Sequence, residues 1–76
     1  MDYAMQIGQK IKTYRSARGL TVKELAAKAQ ITASMLSQIE RGQATPSLNT
    51  IRQLSEALDD PIFRFYMDEV DVQNEV

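Results

Sequence analysis

Cysteine and histidine are both absent from these 76 residues. Without cysteine there is no disulfide framework and no thiolate metal site. Without histidine the chain lacks the usual proton shuttle and the commonest metal ligand. No apolar run approaches the roughly 20 residues of a membrane span. The N-terminus has no secretory signal pattern. No Gly-rich phosphate loop and no nucleophile–base constellation appears. The expectation is a cytoplasmic protein that is not an enzyme and has no metal, cofactor or membrane partner.

The hydrophobic content is 43%, ordinary for a globular chain and too high for disorder. A chain this short makes one small domain with a thin core. Net charge is −1, but the charges are unevenly placed. Residues 1–58 carry eight cationic side chains against four anionic ones, a net of +4. Residues 59–76 carry one against six, a net of −5. A basic binding face and an acidic tail fit that asymmetry.

Five helical segments are expected. The first spans about residues 3–18, with Ile7, Ile11 and Tyr14 on one stripe, and stops at Gly19. The second opens at "TVKE", where Thr21 caps and Glu24 completes a capping box. Leu20 and Leu25 have the spacing of a hydrophobic staple, and Leu25, Ala26 and Ala29 face inward. Thr32 caps the third helix after a turn of about three residues. A turn so short makes two short helices cross steeply. Ser47 opens the fourth after Pro46, with Leu48, Ile51, Leu54 and Leu58 buried. The fifth begins at "DP", with Asp60 as cap and Pro61 in the first turn, and carries Ile62, Phe63, Phe65, Tyr66 and Met67. Residues 1–67 thus form the domain. Residues 68–76 are an acidic tail, or the start of a linker or strand.

The third helix has an unusual outer side. In "SMLSQIERG", Leu36 and Ile39 point inward and Gly42 closes the helix. On an ideal wheel starting at Ala33, Met35, Ile39 and Leu36 fall near about 200°, 240° and 300°. Ala33, Ser37, Arg41, Ser34 and Gln38 fill the arc from about 0° to 140°. That arc is small in bulk, rich in hydrogen-bonding groups and free of carboxylates. It fits a DNA major groove: Gln and Ser reach base edges, and Ala can touch a thymine methyl. The alternative is a face of small residues that packs against another helix.

Arg15 lies four residues after Ile11 on the apolar stripe of the first helix. Glu40 lies beside Leu36 on the inner half of the third. Opposite charges that both point inward are expected to pair, because an unpaired buried charge is very costly.

The run "IGQKIKTYRSARGLTVKELAAKAQITASMLSQIERGQATPSLNTIRQLSEAL" resembles the helix-turn-helix domain of phage-repressor-like (Cro/cI, XRE-type) regulators. "RGLTVKELA", "LSQIERG" and "PSLNTI" carry the resemblance, which covers about residues 6–66. It implies an all-α, compact five-helix lambda-repressor-like fold and sequence-specific binding of double-stranded DNA. It also implies a repressor-like homodimer on a palindromic operator, and an Arg15–Glu40 bridge. Residues 32–40 would be the recognition helix. Ala33, Ser34, Ser37 and Gln38 match base-reading positions. Thr21, Arg41, Gln43, Thr45, Ser47 and Asn49 match phosphate-contacting regions, to which Lys23, Lys28 and Arg18 add attraction. A C-terminal sensor domain of cupin type, or a small partner protein, often accompanies such domains.

Two departures from the family pattern stand out. Gln30 occupies a turn position where the family usually has Gly in a left-handed conformation. The short side chains of Ala33 and Ser34 leave more of the specificity to DNA shape. The competing function is a protein-interaction adaptor on the same fold, with the fifth helix and the tail binding a partner protein.

Overall fold

The computed structural model describes residues 3–60, with side chains from residue 4 onward. Four helices occur among them: α1 (Tyr3–Ala17), α2 (Val22–Ala29), α3 (Ala33–Glu40) and α4 (Leu48–Leu58). The expected fifth helix, with Pro61, Ile62, Phe63, Phe65, Tyr66 and Met67, lies outside the described residues, as do the body of the tail and Asp60's role as its cap. Among the described residues no helix is long and apolar enough to cross a membrane.

Each helix contributes one inward stripe to a single core. Ile7 and Ile11 come from α1, Leu25, Ala26 and Ala29 from α2, Leu36 and Ile39 from α3, and Ile51, Leu54 and Leu58 from α4. Tyr14, Leu20 and Ile31 pack against its edge. α1 lies on α3, and α2 lies on both α3 and α4. Leu48 departs from expectation, being 48% exposed rather than buried. It is the first residue of α4, and helical side chains lean toward the N-terminus. Leu48 therefore overhangs the start of the helix, beyond the edge of the core that Ile51, Leu54 and Leu58 fill.

The helix ends follow from local chemistry. Thr21 Oγ1 accepts from the Glu24 amide at 3.0 Å, and Glu24 Oε1 accepts from the Thr21 amide at 2.9 Å, completing the capping box. Thr32 and Ser47 cap α3 and α4 in the same way, accepting from Met35 and Thr50. All four helices close through a left-handed residue: Gly19, Gln30, Gly42 and Asp59. At Gln30 (φ 63°, ψ 40°) the chain turns between α2 and α3, and the Ile31 amide reaches back to the Ala26 carbonyl at 3.0 Å. The left-handed turn is thus made with a side chain whose Cβ crowds the following carbonyl.

Gly8 sets the approach of α1 to α3. A Cβ at this position would collide with the carbonyl oxygen of Ile39 and come within 2.9 Å of that of Glu40. The obstructing atoms are backbone, so they cannot swing aside.

Gly8→Ala pits two effects against each other. Alanine is favoured in a helix interior by about 1 kcal/mol, whereas overpacking costs about 1–3 kcal/mol. With rigid backbone on the far side, a net loss of roughly 1–2 kcal/mol is expected in denaturant unfolding. An unchanged midpoint would mean that α1 can shift off α3 freely. Gln30→Gly is expected to raise stability by about 1 kcal/mol, relief of strain exceeding the added unfolded-state entropy. A lowered melting temperature would show that entropy outweighs strain at this turn.

Candidate nucleic-acid interface

The outer face of α3 is built from the inside. Leu36 and Ile39 are fully buried and mark the side of the helix that faces the core. Thr32, Ser34 and Gln38 are then exposed, and Ser37 is half-buried. Ala33 is also half-buried and leans on the rim of the core. Met35 lies 37% exposed beside them.

Glu40 is the acid of α3, and it is turned away from that face. Arg15 Nε donates to Glu40 Oε2 at 2.7 Å, and Arg15 Nη2 donates to Oε1 at 3.0 Å. The third nitrogen, Nη1, donates to the Leu20 carbonyl at 2.7 Å. The two side chains are only 13% and 7% exposed. The hydrogen bond to Glu40 raises the Arg15 guanidinium above its ordinary range, against the opposing effect of burial. A raised pKa keeps the guanidinium charged at every pH below the normal arginine range.

The remaining site residues fall into two groups. Around the C-terminus of α3, Arg41 Nη1 donates to Ser37 Oγ, while Nε and Nη2 donate to Gln43 Oε1 at 3.3 and 3.1 Å. Beyond it, Thr45, Ser47 and Asn49 are exposed while Ala44 and Pro46 turn inward. The Ser47 hydroxyl is already used, accepting from the Thr50 amide at 3.1 Å and lying 3.0 Å from the Thr50 hydroxyl. At the start of α2, Thr21 and Lys23 are exposed. Glu24 already satisfies the Thr21 amide, so the first-turn amides of Val22 and Lys23 are the ones left for an outside partner.

Two cations sit differently from a free basic face. Arg18 Nη2 donates to Asp60 Oδ2 at 2.6 Å, Nη1 donates to the Tyr14 carbonyl at 3.1 Å, and the guanidinium lies 6.0 Å from the Tyr14 ring centre. It ties the end of α1 to the end of α4. Lys28 is exposed but lines a shallow groove with Gln30, Glu56 and Asp59. Two acids there offset its attraction for an anion.

Sequence reasoning did not single out Gly8, whose only signal is a glycine placed one residue after Ile7 on the stripe. It also did not find the Arg41–Ser37–Gln43 cluster, although Ser37 and Arg41 stand at i and i+4, where helical side chains meet.

Comparison with known proteins adds an independent line. The helix-turn-helix family pattern matches residues 11–61. The HTH-type transcriptional regulator SinR of Bacillus subtilis (strain 168) is 46% identical over 54 residues, spanning 70% of this chain and 49% of that protein. The immunity repressor protein of Bacillus phage phi105 is 44% identical over 54 residues, or 71% of this chain and 38% of that one. Among solved structures, the restriction-modification controller protein C.AhdI from Aeromonas hydrophila superposes with a TM-score of 0.79 at 32% identity. That match covers 82% of this chain and 94% of C.AhdI. The chain spans half or less of the length of the two sequence relatives.

Glu40→Ala leaves the Arg15 charge under cover without its anionic partner. The expected loss is roughly 3 kcal/mol in denaturant unfolding, as for a broken buried pair. A loss under about half a kcal/mol, typical of exposed pairs, would mean that water replaces the carboxylate without cost.

Proposed function

The chain belongs to the helix-turn-helix family, and from that membership we propose that it is a sequence-specific, double-stranded DNA-binding transcriptional regulator of repressor type. One observation carries the reading. The outward side of α3 presents Thr32, Ser34, Ser37, Gln38 and Arg41, and the acid of that helix is drawn inward onto Arg15. A groove-entering helix must be slim, rich in donors and acceptors, and free of carboxylates that repel phosphate. This helix meets all three conditions.

Binding is itself the mechanism. Residues 32–40 enter the major groove. Gln38 reads a base pair through its amide, Ser34 and Ser37 give single hydrogen bonds, and Ala33 senses a methyl group. The start of α2 at Thr21 and Lys23, and the segment with Thr45, Ser47 and Asn49, lie against the backbone on either side and set register. Lys28 adds little, because Glu56 and Asp59 share its groove. Two copies on a palindromic operator would place two such helices one turn of DNA apart. SinR and the phi105 protein are, by name, a transcriptional regulator and a repressor, which supports regulation as the outcome.

The adaptor alternative rests on residues 61–76, outside the described part of the chain. A mobility shift with a random-sequence duplex at low salt separates the two readings, since a pure adaptor retards no DNA.

Sites selected from a random duplex pool supply the specific test. Gln38→Ala is expected to lose roughly 1–3 kcal/mol on the selected site and to relax preference at one base pair per half-site. Its affinity for a scrambled duplex is expected to stay unchanged. Equal weakening on both duplexes would remove Gln38 from base reading.

A further inference from the structure

Arg41 follows the last residue of α3, and the sequence places it among the phosphate contacts. Its surroundings give it another setting. Nη1 bonds to the hydroxyl of Ser37, one turn back along the helix. Nε and Nη2 share the Gln43 side-chain oxygen. The guanidinium is therefore folded back over the outward face of α3, beside the residues that face base edges, instead of reaching away from the helix toward a flanking backbone.

The chain reversal after α3 produces this arrangement. Gly42 is left-handed (φ 75°), its amide donates to the Ile39 carbonyl at 3.0 Å, and the Gln43 amide donates to the Gln38 carbonyl at 2.9 Å. A helix end closed in this way fixes the direction of the next residue. Here it lays the Gln43 side chain against Arg41. A guanidinium has five N–H donors in a rigid plane. Gln43 takes the edge formed by Nε and one Nη2 hydrogen, and Ser37 takes one Nη1 hydrogen. One hydrogen on each terminal nitrogen remains for an outside acceptor. On a face whose other members are Thr32, Ala33, Ser34, Ser37 and Gln38, the guanidinium is the cationic group.

We propose that Arg41 is a guanine reader, with Gln43 and Ser37 as positioning residues that hold its plane. Guanine offers O6 and N7 side by side in the major groove, and arginine matches them with two parallel bonds. Prepositioning lowers the ordering cost of so flexible a side chain. The inference rests on the reading that α3 lies in the major groove, and it moves Arg41 from the phosphate contacts to the specificity-determining residues.

The test uses the selected site, a scrambled duplex, and versions of the site with each guanine in turn replaced by 7-deazaguanine, which lacks N7. For the unmodified protein, one guanine per half-site is expected to be sensitive, with affinity falling roughly tenfold. Arg41→Lys keeps the charge and loses the fork. It is expected to bind the original site as weakly as the unmodified protein binds the deaza site, and to show no further loss on the deaza site. Gln43→Ala is expected to reduce discrimination at that same base pair and at no other. Both variants should keep the affinity and salt dependence of the unmodified protein on the scrambled duplex, and its melting temperature. Insensitivity to every 7-deazaguanine, or the same sensitivity in Arg41→Lys, would overturn the proposal. So would equal weakening of selected and scrambled duplexes, the signature of a phosphate contact. If the unmodified protein selects no site at all, the DNA-binding reading fails and this inference fails with it. If it selects a site in which no guanine matters, only the role of Arg41 falls.

Discussion

The Arg15 guanidinium is the point at which three parts of the molecule are joined. It grips both oxygens of Glu40 at the end of α3 and the Leu20 carbonyl at the entrance to α2. Charge-assisted bonds of this forked kind are directional. They specify the roll of α3 about its axis, which apolar contacts at Leu36 and Ile39 constrain less sharply. A buried pair is not in general more stabilising than well-packed apolar side chains. Its value here is geometric: it disposes of the acid that would otherwise border the outward face. Gly8 works on the same contact from the other side, letting the α1 backbone come up to the last carbonyls of α3. Distance and rotation of α3 relative to α1 are thus set within one short stretch of the interface.

Most of the four-helix frame could be read from the sequence because local signals agree with one another. Thr21 with Glu24, Thr32 and Ser47 mark helix starts by capping chemistry that acts within three residues. The stripe of Ile7 and Ile11 and that of Ile51, Leu54 and Leu58 mark buried faces by periodicity. The left-handed turn at Gln30 was legible only through the family resemblance, since nothing in glutamine itself favours that conformation. Leu48 was misjudged because periodicity says which side a residue is on and not whether the core extends that far along the helix.

The site was less legible than the frame. The face of α3 follows from a helical wheel, so Ser34 and Gln38 were placed by spacing alone. Sequence alone offers Arg18 as a cation available for DNA, but its partner Asp60 lies 42 positions away. Lys28 shares a groove with Glu56 and Asp59 only through the packing of α2 on α4. The charge excess of residues 1–58 therefore overstates the free positive surface. Tertiary pairing removes part of it in ways that no sequence window reveals. Arg41 is the reverse case: its bonds to Ser37 and Gln43 are local, yet they depend on the left-handed turn at Gly42.

The central claim is that the outward face of α3 meets DNA, and backbone amide chemical shifts during titration with a selected duplex test it most directly. The account predicts that the largest changes fall at Thr32, Ser34, Ser37 and Gln38, with a second group at Thr21 to Lys23. It also predicts that Lys12 and Thr13, exposed on α1, stay unperturbed. Changes confined to residues 61–76, or centred on α1 while α3 is silent, would contradict it.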